Sequence, residues 1–596
     1  MSCDKLVFDL SQEVEGSPNV FIRKDWINIL DNQNQNYQNN QCIIDTSQLA
    51  NSNKYMGYRE GYLAVPMLLS MNILASGAPG ANGIVPNDYS LGLKNWFGSI
   101  IHSFTLDYNG TTIIQQTPFC NMWNIFKLLT TLSYNDLITM GSTIGFYPDK
   151  SGSCSYFTAV SGNGSGVCNN DFGTTNVITS SLVLNNYDLN QSTGGAIVTT
   201  GGNIGATYRT KWIAYDGAAG ITSSAGVASV SYSTFGTLAN SITNIWKNNI
   251  VVKTNIPNPA AGLSGVTQIA VMGTIYLKHL HSFFNMCPLL KGVFMKMTMN
   301  LNNATSEIGV TGLNGANKII TLNSSSVPVG GVQPILIPSS RTGLALANTS
   351  DNINATITYE LVVGAQSYNS TIKNGYGYVG GNLAKSVYLY VPAYTFNPTF
   401  EQAYLANSVK QVKYTDIYQY QVLNVPSNNP FNNLITNGIA NIKSVLIIPF
   451  FAVNGGALLT TGTIPEFQSP FDTAGCGTTA PMVSLGNFNV QISGQNAIYN
   501  MQRYSFEEWN NQLYGQNAVN GGLTDGLTSG LIDFMDFQNA YCYYYVNVER
   551  MLPVEQSVPK SVQILGTNYS TQALNLWVFV EYGVSVAIDV LTGARV

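Results

Sequence analysis

The stretch Phe104-Thr-Leu-Asp-Tyr-Asn-Gly110, continuing through Thr111-Thr-Ile-Ile114, places apolar residues at alternate positions around an Asn-Gly pair. Alternation with a period of two gathers the apolar side chains on one face of a pleated strand, and Asn-Gly accepts the positive φ angles of a tight turn. The stretch therefore predicts a β-hairpin. The far half of the chain repeats it at Phe488-Asn-Val-Gln-Ile-Ser-Gly494, continuing through Gln495-Asn-Ala-Ile498. Both copies begin with an aromatic residue, carry a Gly at the seventh position and place an Ile four residues after that Gly.

The flanks repeat as well. Gly61-Tyr-Leu-Ala-Val-Pro66-Met-Leu-Leu69 precedes the first hairpin and Ser444-Val-Leu-Ile-Ile-Pro449-Phe-Phe451 precedes the second. Both read as strands apolar enough to be covered on two faces, with the proline at a strand end or bulge. After the first hairpin, Thr117-Pro118-Phe119 predicts a helix start with Thr as N-cap, and Phe119, Met122, Trp123, Phe126 and Leu129 share one face. Such a stripe reads as core-facing rather than as an aromatic ligand box. After the second hairpin, Ser505-Phe-Glu-Glu508 is a capping box, with Phe506, Trp509 and Leu513 as the stripe. The order strand, hairpin, helix is thus present twice.

Composition agrees with a β fold. Charged residues are 10% of the 596-residue chain, against about 25% in ordinary soluble proteins, while 56 Gly and 34 Tyr stand beside frequent Asn, Ser and Thr. Glycine and asparagine suit turns, and aromatic and β-branched residues suit pleated surfaces. A surface so poor in charge points to extensive contact with other protein. The net charge of -5 and the absence of a long Lys/Arg run argue against nucleic-acid binding through phosphate neutralisation. The acids in Met1-Ser-Cys-Asp-Lys-Leu-Val-Phe-Asp9 do not suit a signal peptide, so a cytosolic product is expected. No apolar run reaches a membrane span: Leu574 to Leu591 is cut by Glu581 and Asp589. The eight cysteines lack paired CxxC spacing and read as buried free thiols.

Along the chain, residues 1–40 read as an N-terminal arm anchored by Phe8, Val20, Phe21, Trp26 and Ile29. Strands are expected at Gln41 to Leu49, Gln268 to Leu277, Val293 to Leu301 and Ala355 to Val363, with a loop-rich insertion over about 151–265. A first sandwich over 41–397 and a second over 398–596 follow, with the boundary near Asn397. In the second, Val409 to Val425, Leu531 to Val548, Ser561 to Leu565 and Leu574 to Val590 read as strands, and Asn429-Pro430-Phe431 as the start of a short helix closed by Asn437-Gly438. The expected fold class is all-β: two tandem antiparallel jelly-roll sandwiches with short helices and long loop insertions in the first.

Val391-Pro-Ala-Tyr-Thr-Phe-Asn-Pro398, Ile435-Thr-Asn-Gly-Ile439 and Lys443-Ser-Val-Leu-Ile-Ile-Pro-Phe-Phe451, in this order, resemble the major capsid proteins of the double jelly-roll lineage, most closely those of virophages. The resemblance implies a homotrimer whose six jelly rolls form a pseudo-hexagonal capsomer. It implies contacts with neighbouring capsomers in an icosahedral shell around double-stranded DNA, and a separate single jelly-roll penton protein at the vertices. It places the protein in the virion, made in the host cytoplasm, with the 151–265 insertion as a candidate outward tower. The residues alone leave open a non-viral β-sandwich binding protein, such as a carbohydrate-binding or surface-layer subunit.

Catalytic and ligand-binding patterns fail on inspection. Gly375-Tyr-Gly-Tyr-Val-Gly380 fits G-x-G-x-x-G, with Glu401 at the distance of a ribose-binding acid, but a strand follows where the dinucleotide motif needs a helix. His279 and His281 on an expected strand, with Cys287 nearby, lack further metal ligands. Glu507-Glu508 and Asp533 with Asp536 are carboxylate pairs, but Glu508 is accounted for by helix capping. The glycosylation patterns at Asn109 and Asn163 are of the kind an Asn-, Ser- and Thr-rich chain produces by chance. No catalytic, cofactor-binding or metal residue is assigned, and no cofactor or sequence-specific nucleic-acid binding is expected.

Overall fold

In a computed structural model the two halves of the chain form antiparallel β-sandwiches with the same wiring. The structure describes residues 19–33, 37, 39–49, 52–76, 89–146 except 95 and 116, 148, 265–312 except 292 and 293, 353–364, 386–452, 483–498, 504–513, 530–548 except 540 and 542, 557–570, 573–592 and 595. It also describes short strand segments at 157–158, 167–168, 177–178, 190–193, 196–199, 250–257, 318–325 and 333–338. Most of the expected insertion at 151–265, and all of Gly375–Gly380, lie outside the described residues.

The first sandwich is built from β1 (Phe21–Leu30), β2 (Gln41–Asp45), β3 (Tyr62–Ser76), β4 (Ile101–Tyr108), β5 (Thr111–Ile114), β6 (Gly265–Tyr276), β7 (Met295–Leu301) and β8 (Tyr388–Phe396). The second is built from β9 (Val409–Val425), β10 (Pro430–Ile439), β11 (Ile442–Phe451), β12 (Leu485–Ile492), β13 (Gln495–Asn496), β14 (Tyr544–Asn547), β15 (Lys560–Asn568) and β16 (Leu574–Asp589). Helices include α1 (Cys120–Thr131), α2 (Tyr134–Ile144), α3 (Leu277–Leu280), α4 (Phe283–Met286), α5 (Pro398–Leu405), α6 (Phe506–Leu513) and α7 (Phe534–Asn539).

In the first half the sheets run β1-β8-β3-β6 and β2-β7-β4-β5. In the second they run β9-β16-β11-β14 and β10-β15-β12-β13. Each strand of the second half therefore has its counterpart eight labels earlier, and both halves carry the eight-strand, two-sheet order of a jelly roll. The hairpins that open the sequence argument occupy the same place, β4-β5 and β12-β13, at the edge of the second sheet. Both loops have two residues, and both residues have positive φ: Asn109 at 46° and Gly110 at 80°, Ser493 at 51° and Gly494 at 81°. This turn geometry matches the right-handed twist of the strands it joins. Ile114 and Ile498 are both buried.

The paired prolines have a local explanation. Pro has no N–H for a ladder, and each stands where one neighbour's pairing has lapsed. The pairing of β3 with β8 ends at Ala64 and Ile353–Val363 takes over that edge from Met67, so Pro66 falls in the gap. Pro449 lies beyond Ile447, the last residue of β11 paired with β14.

Four expectations are corrected. The arm expected over 1–40 contains β1, which pairs along its length with β8 and contributes buried Ile29. Its Arg23-Lys24-Asp25 run masks the alternation, and charge is the ordinary protection of an exposed edge. The helix expected from Asn429 to Gly438 is the strand β10, with Phe431 and Ile435 facing inward. It is an edge strand, where Pro430 is tolerated, and its ladder to β15 is a long-range partner that local turn chemistry does not reveal. The continuous strand expected over Leu531 to Val548 begins as α7, capped where the Asp533 carboxylate accepts from Asp536 N at 2.8 Å. The first-half helix starts three residues later than Thr117, which donates its hydroxyl to Ile417 O at 3.1 Å instead of capping.

Candidate functional site at the junction of the sandwiches

Helix α1 has the expected stripe, yet ten of its 12 residues are buried, because its other side meets the second sandwich. Phe119 approaches Trp577 at 6.2 Å and Trp123 approaches Phe579 at 6.4 Å, both from β16. Phe126 lies 5.3 Å from Tyr545, 5.5 Å from Tyr543 and 6.0 Å from Trp509 of α6. Several of these ring pairs meet edge to face, the arrangement favoured by the quadrupoles of aromatic rings. One apolar cluster therefore runs from the core of the first sandwich through α1 to the outer face of the β9-β16-β11-β14 sheet. The inner face of that sheet closes a separate core with Val445, Ile447, Val578 and Val580.

Polar contacts fix the register of this junction. Tyr414 donates its hydroxyl to Ile113 O at 2.8 Å, Ser282 donates to Thr415 O at 2.5 Å, and Leu531 N donates to Leu129 O at 2.8 Å. The Lys127 ammonium lies 3.5 Å from the buried carboxylate of Glu581, which also accepts from Ser444 Oγ at 2.7 Å. His281 Nε2 lies 3.4 Å from Asp416 Oδ1, which also accepts from Ile417 N at 2.8 Å. Helix α5, between the sandwiches in sequence, is tied to the first by Glu401, which accepts from Tyr55 OH at 2.8 Å and Lys291 Nζ at 3.1 Å. Those two donors hold the Glu401 carboxyl below its usual range.

A cavity of about 530 Å³ opens within the junction, between α1, α3 and the middle of β9. Lys127, His279, His281, Asp416 and Glu581 all line it. Its two acids are engaged from across the junction, Glu581 by the Lys127 ammonium and Asp416 by the His281 ring, and Glu581 also accepts from Ser444 of its own sheet, so these groups act as fasteners. His279 is held neutral: burial lowers its imidazole to about 4, and the adjacent Lys278 charge acts in the same direction. Its ring lies 5.7 Å from Tyr276 and 6.3 Å from Trp96.

The residues weighed in the sequence for chemistry are dispersed. His279 lies in α3 and His281 caps it, so neither is on a strand. Cys287 is a buried free thiol whose pKa burial pushes up. No group of His, Cys, Asp and Glu able to hold a metal occurs among the described residues. Glu508 N donates to Ser505 Oγ at 3.3 Å, one half of the expected capping box, while the Glu508 carboxylate accepts from Gln512 Nε2 at 2.7 Å. Of the junction residues, Glu581 enters the sequence reading only as a break in the apolar run Leu574 to Leu591, and Lys127 is a charge in an apolar helix; Asp416, in a strand that also carries Lys410 and Lys413, has no such signal.

No known family profile and no curated protein matches the sequence. Among solved structures, the chain is similar to one from the Sputnik virophage, solved by cryo-EM (9% identity, TM-score 0.42, covering 98% of this chain and 90% of that one). It is similar to the mavirus major capsid protein (10% identity, TM-score 0.42, 99% and 92% coverage) and to the Faustovirus major capsid protein (9% identity, TM-score 0.38, 98% and 94% coverage). Its structural neighbours thus include viral major capsid proteins, aligned over almost the full length of both chains.

Proposed function

We propose that this chain is a structural subunit of a viral shell, a major capsid protein whose activity is self-assembly rather than catalysis. Three copies associate so that six sandwiches form a pseudo-hexagonal capsomer, and capsomers tile an icosahedral shell around double-stranded DNA, with a separate penton protein at the vertices. The observation that carries this reading is the duplication. One chain holds two jelly rolls of identical strand order, docked through an apolar, aromatic junction, which suits a subunit that presents similar faces in several directions. The capsid-like motifs at 391–398, 435–439 and 443–451 support it from the sequence side. No described helix is long and apolar enough to cross a membrane.

Native mass measurement combined with electron microscopy of the purified protein tests the reading. Trimers that assemble into closed shells are expected. A chain that stays monomeric at high concentration and forms no shells overturns it, and glycan binding by that monomer would point to a carbohydrate-binding sandwich instead.

A further inference from the structure

We propose that the cavity at the junction of the sandwiches is a binding site for a small organic carboxylate, a single carboxylate group carried on a compact apolar body. Its walls come from both halves of the chain: α1, α3 and β4 from the first, Asp416 on β9 and Glu581 on β16 from the second. The inference is independent of the assembly reading above, because it concerns a ligand held inside one chain.

The polar lining is out of balance in one direction. Both acids already have partners: Glu581 pairs with Lys127 at 3.5 Å and accepts from Ser444, and Asp416 accepts from Ile417 N beside the His281 ring. The Thr117 and Ser282 hydroxyls are likewise committed, to Ile417 O and Thr415 O. What remains unmatched is an amide, an imidazole and an ammonium. Asn124, only 6% exposed, lines the cavity with a side-chain Nδ2 that has no hydrogen-bond partner. His279, held neutral by burial, lines it with a ring Nδ1 that has none either. Lys278 is exposed where it lines the cavity, and no carboxylate lies within ion-pair distance of it among the described residues. A buried donor without an acceptor is rare in a native fold. A carboxylate is acceptor-only, with about four lone-pair sites on its two oxygens, and so complements a lining in surplus of donors.

The apolar lining selects the rest of the ligand. Phe104, Trp123, Leu128 and Leu280 line the same cavity, and the Lys127 ammonium stands 4.9 Å from the centroid of the Trp123 ring, so cation and aromatic face lie side by side. Water against such a wall is poorly partnered, and an apolar group that displaces it gains affinity. The volume of about 530 Å³ falls within the range of roughly 300–1,000 Å³ typical of sites for small organic molecules, well beyond the needs of a bare ion. The charges of Asp416 and Glu581 oppose a dianion, which leaves a monocarboxylate as the anion that fits.

Titration calorimetry and thermal melting of the full chain with benzoate test this, with benzamide as the uncharged analogue and inorganic phosphate as the anion without an apolar body. Benzoate is expected to bind saturably, one per chain, and to raise the melting temperature, as a ligand held only by the folded state does. Benzamide and phosphate are expected to bind more weakly by about tenfold or more. Asn124→Leu removes an unpartnered group at nearly constant size, so it is expected to melt no earlier than the natural chain while weakening benzoate by about tenfold. Lys278→Glu, at an exposed position that does not bear on folding, is expected to weaken benzoate by about as much, and keeps the test valid if the Asn124 variant does not fold. Lys413→Gln, exposed on β9 away from the cavity, is expected to bind benzoate as the natural chain does. Absence of saturable benzoate binding overturns the proposal, as does binding that both Asn124→Leu and Lys278→Glu leave unchanged. Benzamide or phosphate binding as tightly as benzoate overturns the assigned ligand class.

Discussion

The two sandwiches share every strand pairing of the jelly roll and differ in what lies on their outer sheets. In the second, β9 and β16 run for 17 and 16 residues, against 10 and 9 for their counterparts β1 and β8. The extra length carries them past their own core, so that Val412, Tyr414, Val586 and Ile588 pack into the cluster shared with the first sandwich, while Val422, Leu576 and Val578 close the second core. The first sandwich has short outer strands and, between β7 and β8, an added strand, Ile353–Val363, that extends its sheet along β3. The wiring of the repeat is constant, and its divergence lies in strand length and in the groups at the junction.

The largest expected effect tests whether the halves are one cooperative unit. Phe126→Ala removes a buried ring that touches α6 and the strand-end tyrosines of the second sandwich, and should destabilise the chain by about 3–5 kcal/mol. Calorimetry should show both halves melting earlier in one transition; two separated transitions with only one displaced would break the shared-core description.

A smaller effect is confined to the first half. His279 has its pKa lowered from 6.5 to about 4, so between those values the unfolded chain binds a proton that the folded chain does not. Stability attributable to this group is therefore complete above about pH 6.5 and falls as pH drops towards 4, with a slope approaching about 1.4 kcal/mol per pH unit. Denaturant titrations across pH 4–7 should show a shallower slope for His279→Gln; an unchanged slope would assign the dependence to other groups.

The third comparison places the repeat under direct test. Gly110 and Gly494 have φ values of 80° and 81° and open space around their Cα atoms, so alanine at either position meets only backbone strain. Each substitution should cost about 1–2 kcal/mol, and the two costs should agree. A large inequality in their unfolding midpoints would show that the matching turns carry different loads. The smallest effect is expected at Gly438, which has equally open surroundings in β10 but no positive φ. Gly438→Ala should change stability by no more than about 0.5 kcal/mol in the same titrations.

Sequence alone made the repeat legible because its markers are local. A two-residue turn needs positive φ, a ladder proline needs a lapse in pairing, and the helix stripe follows from 3.6-residue periodicity. What stayed hidden depended on partners far away in the chain. Strand β1 looked like an arm because its charges suit an open edge, and β10 looked helical because its ladder to β15 cannot be read from Pro430 and Gly438. The aromatic run at Tyr541 to Tyr545 read as strand and drew the start of α7 into the same assignment. At the junction, Lys127 and Glu581 were visible as charges in apolar surroundings, but their pairing crosses the two halves and requires the fold.

The strand order also governs how the chain is made. In each half the eighth strand lies between the first and the third: β8 between β1 and β3, and β16 between β9 and β11. Synthesis delivers that central strand last. The β1 strand therefore waits for its ladder until Phe396 has left the ribosome, on the order of tens of seconds at ordinary elongation rates. During that interval the nascent chain displays unpaired edges and an apolar face, the state most open to pairing with the wrong copy. Crowded synthesis of many such chains makes the timing of the last strand, as much as the stability of the finished sandwich, a determinant of how much usable subunit is produced.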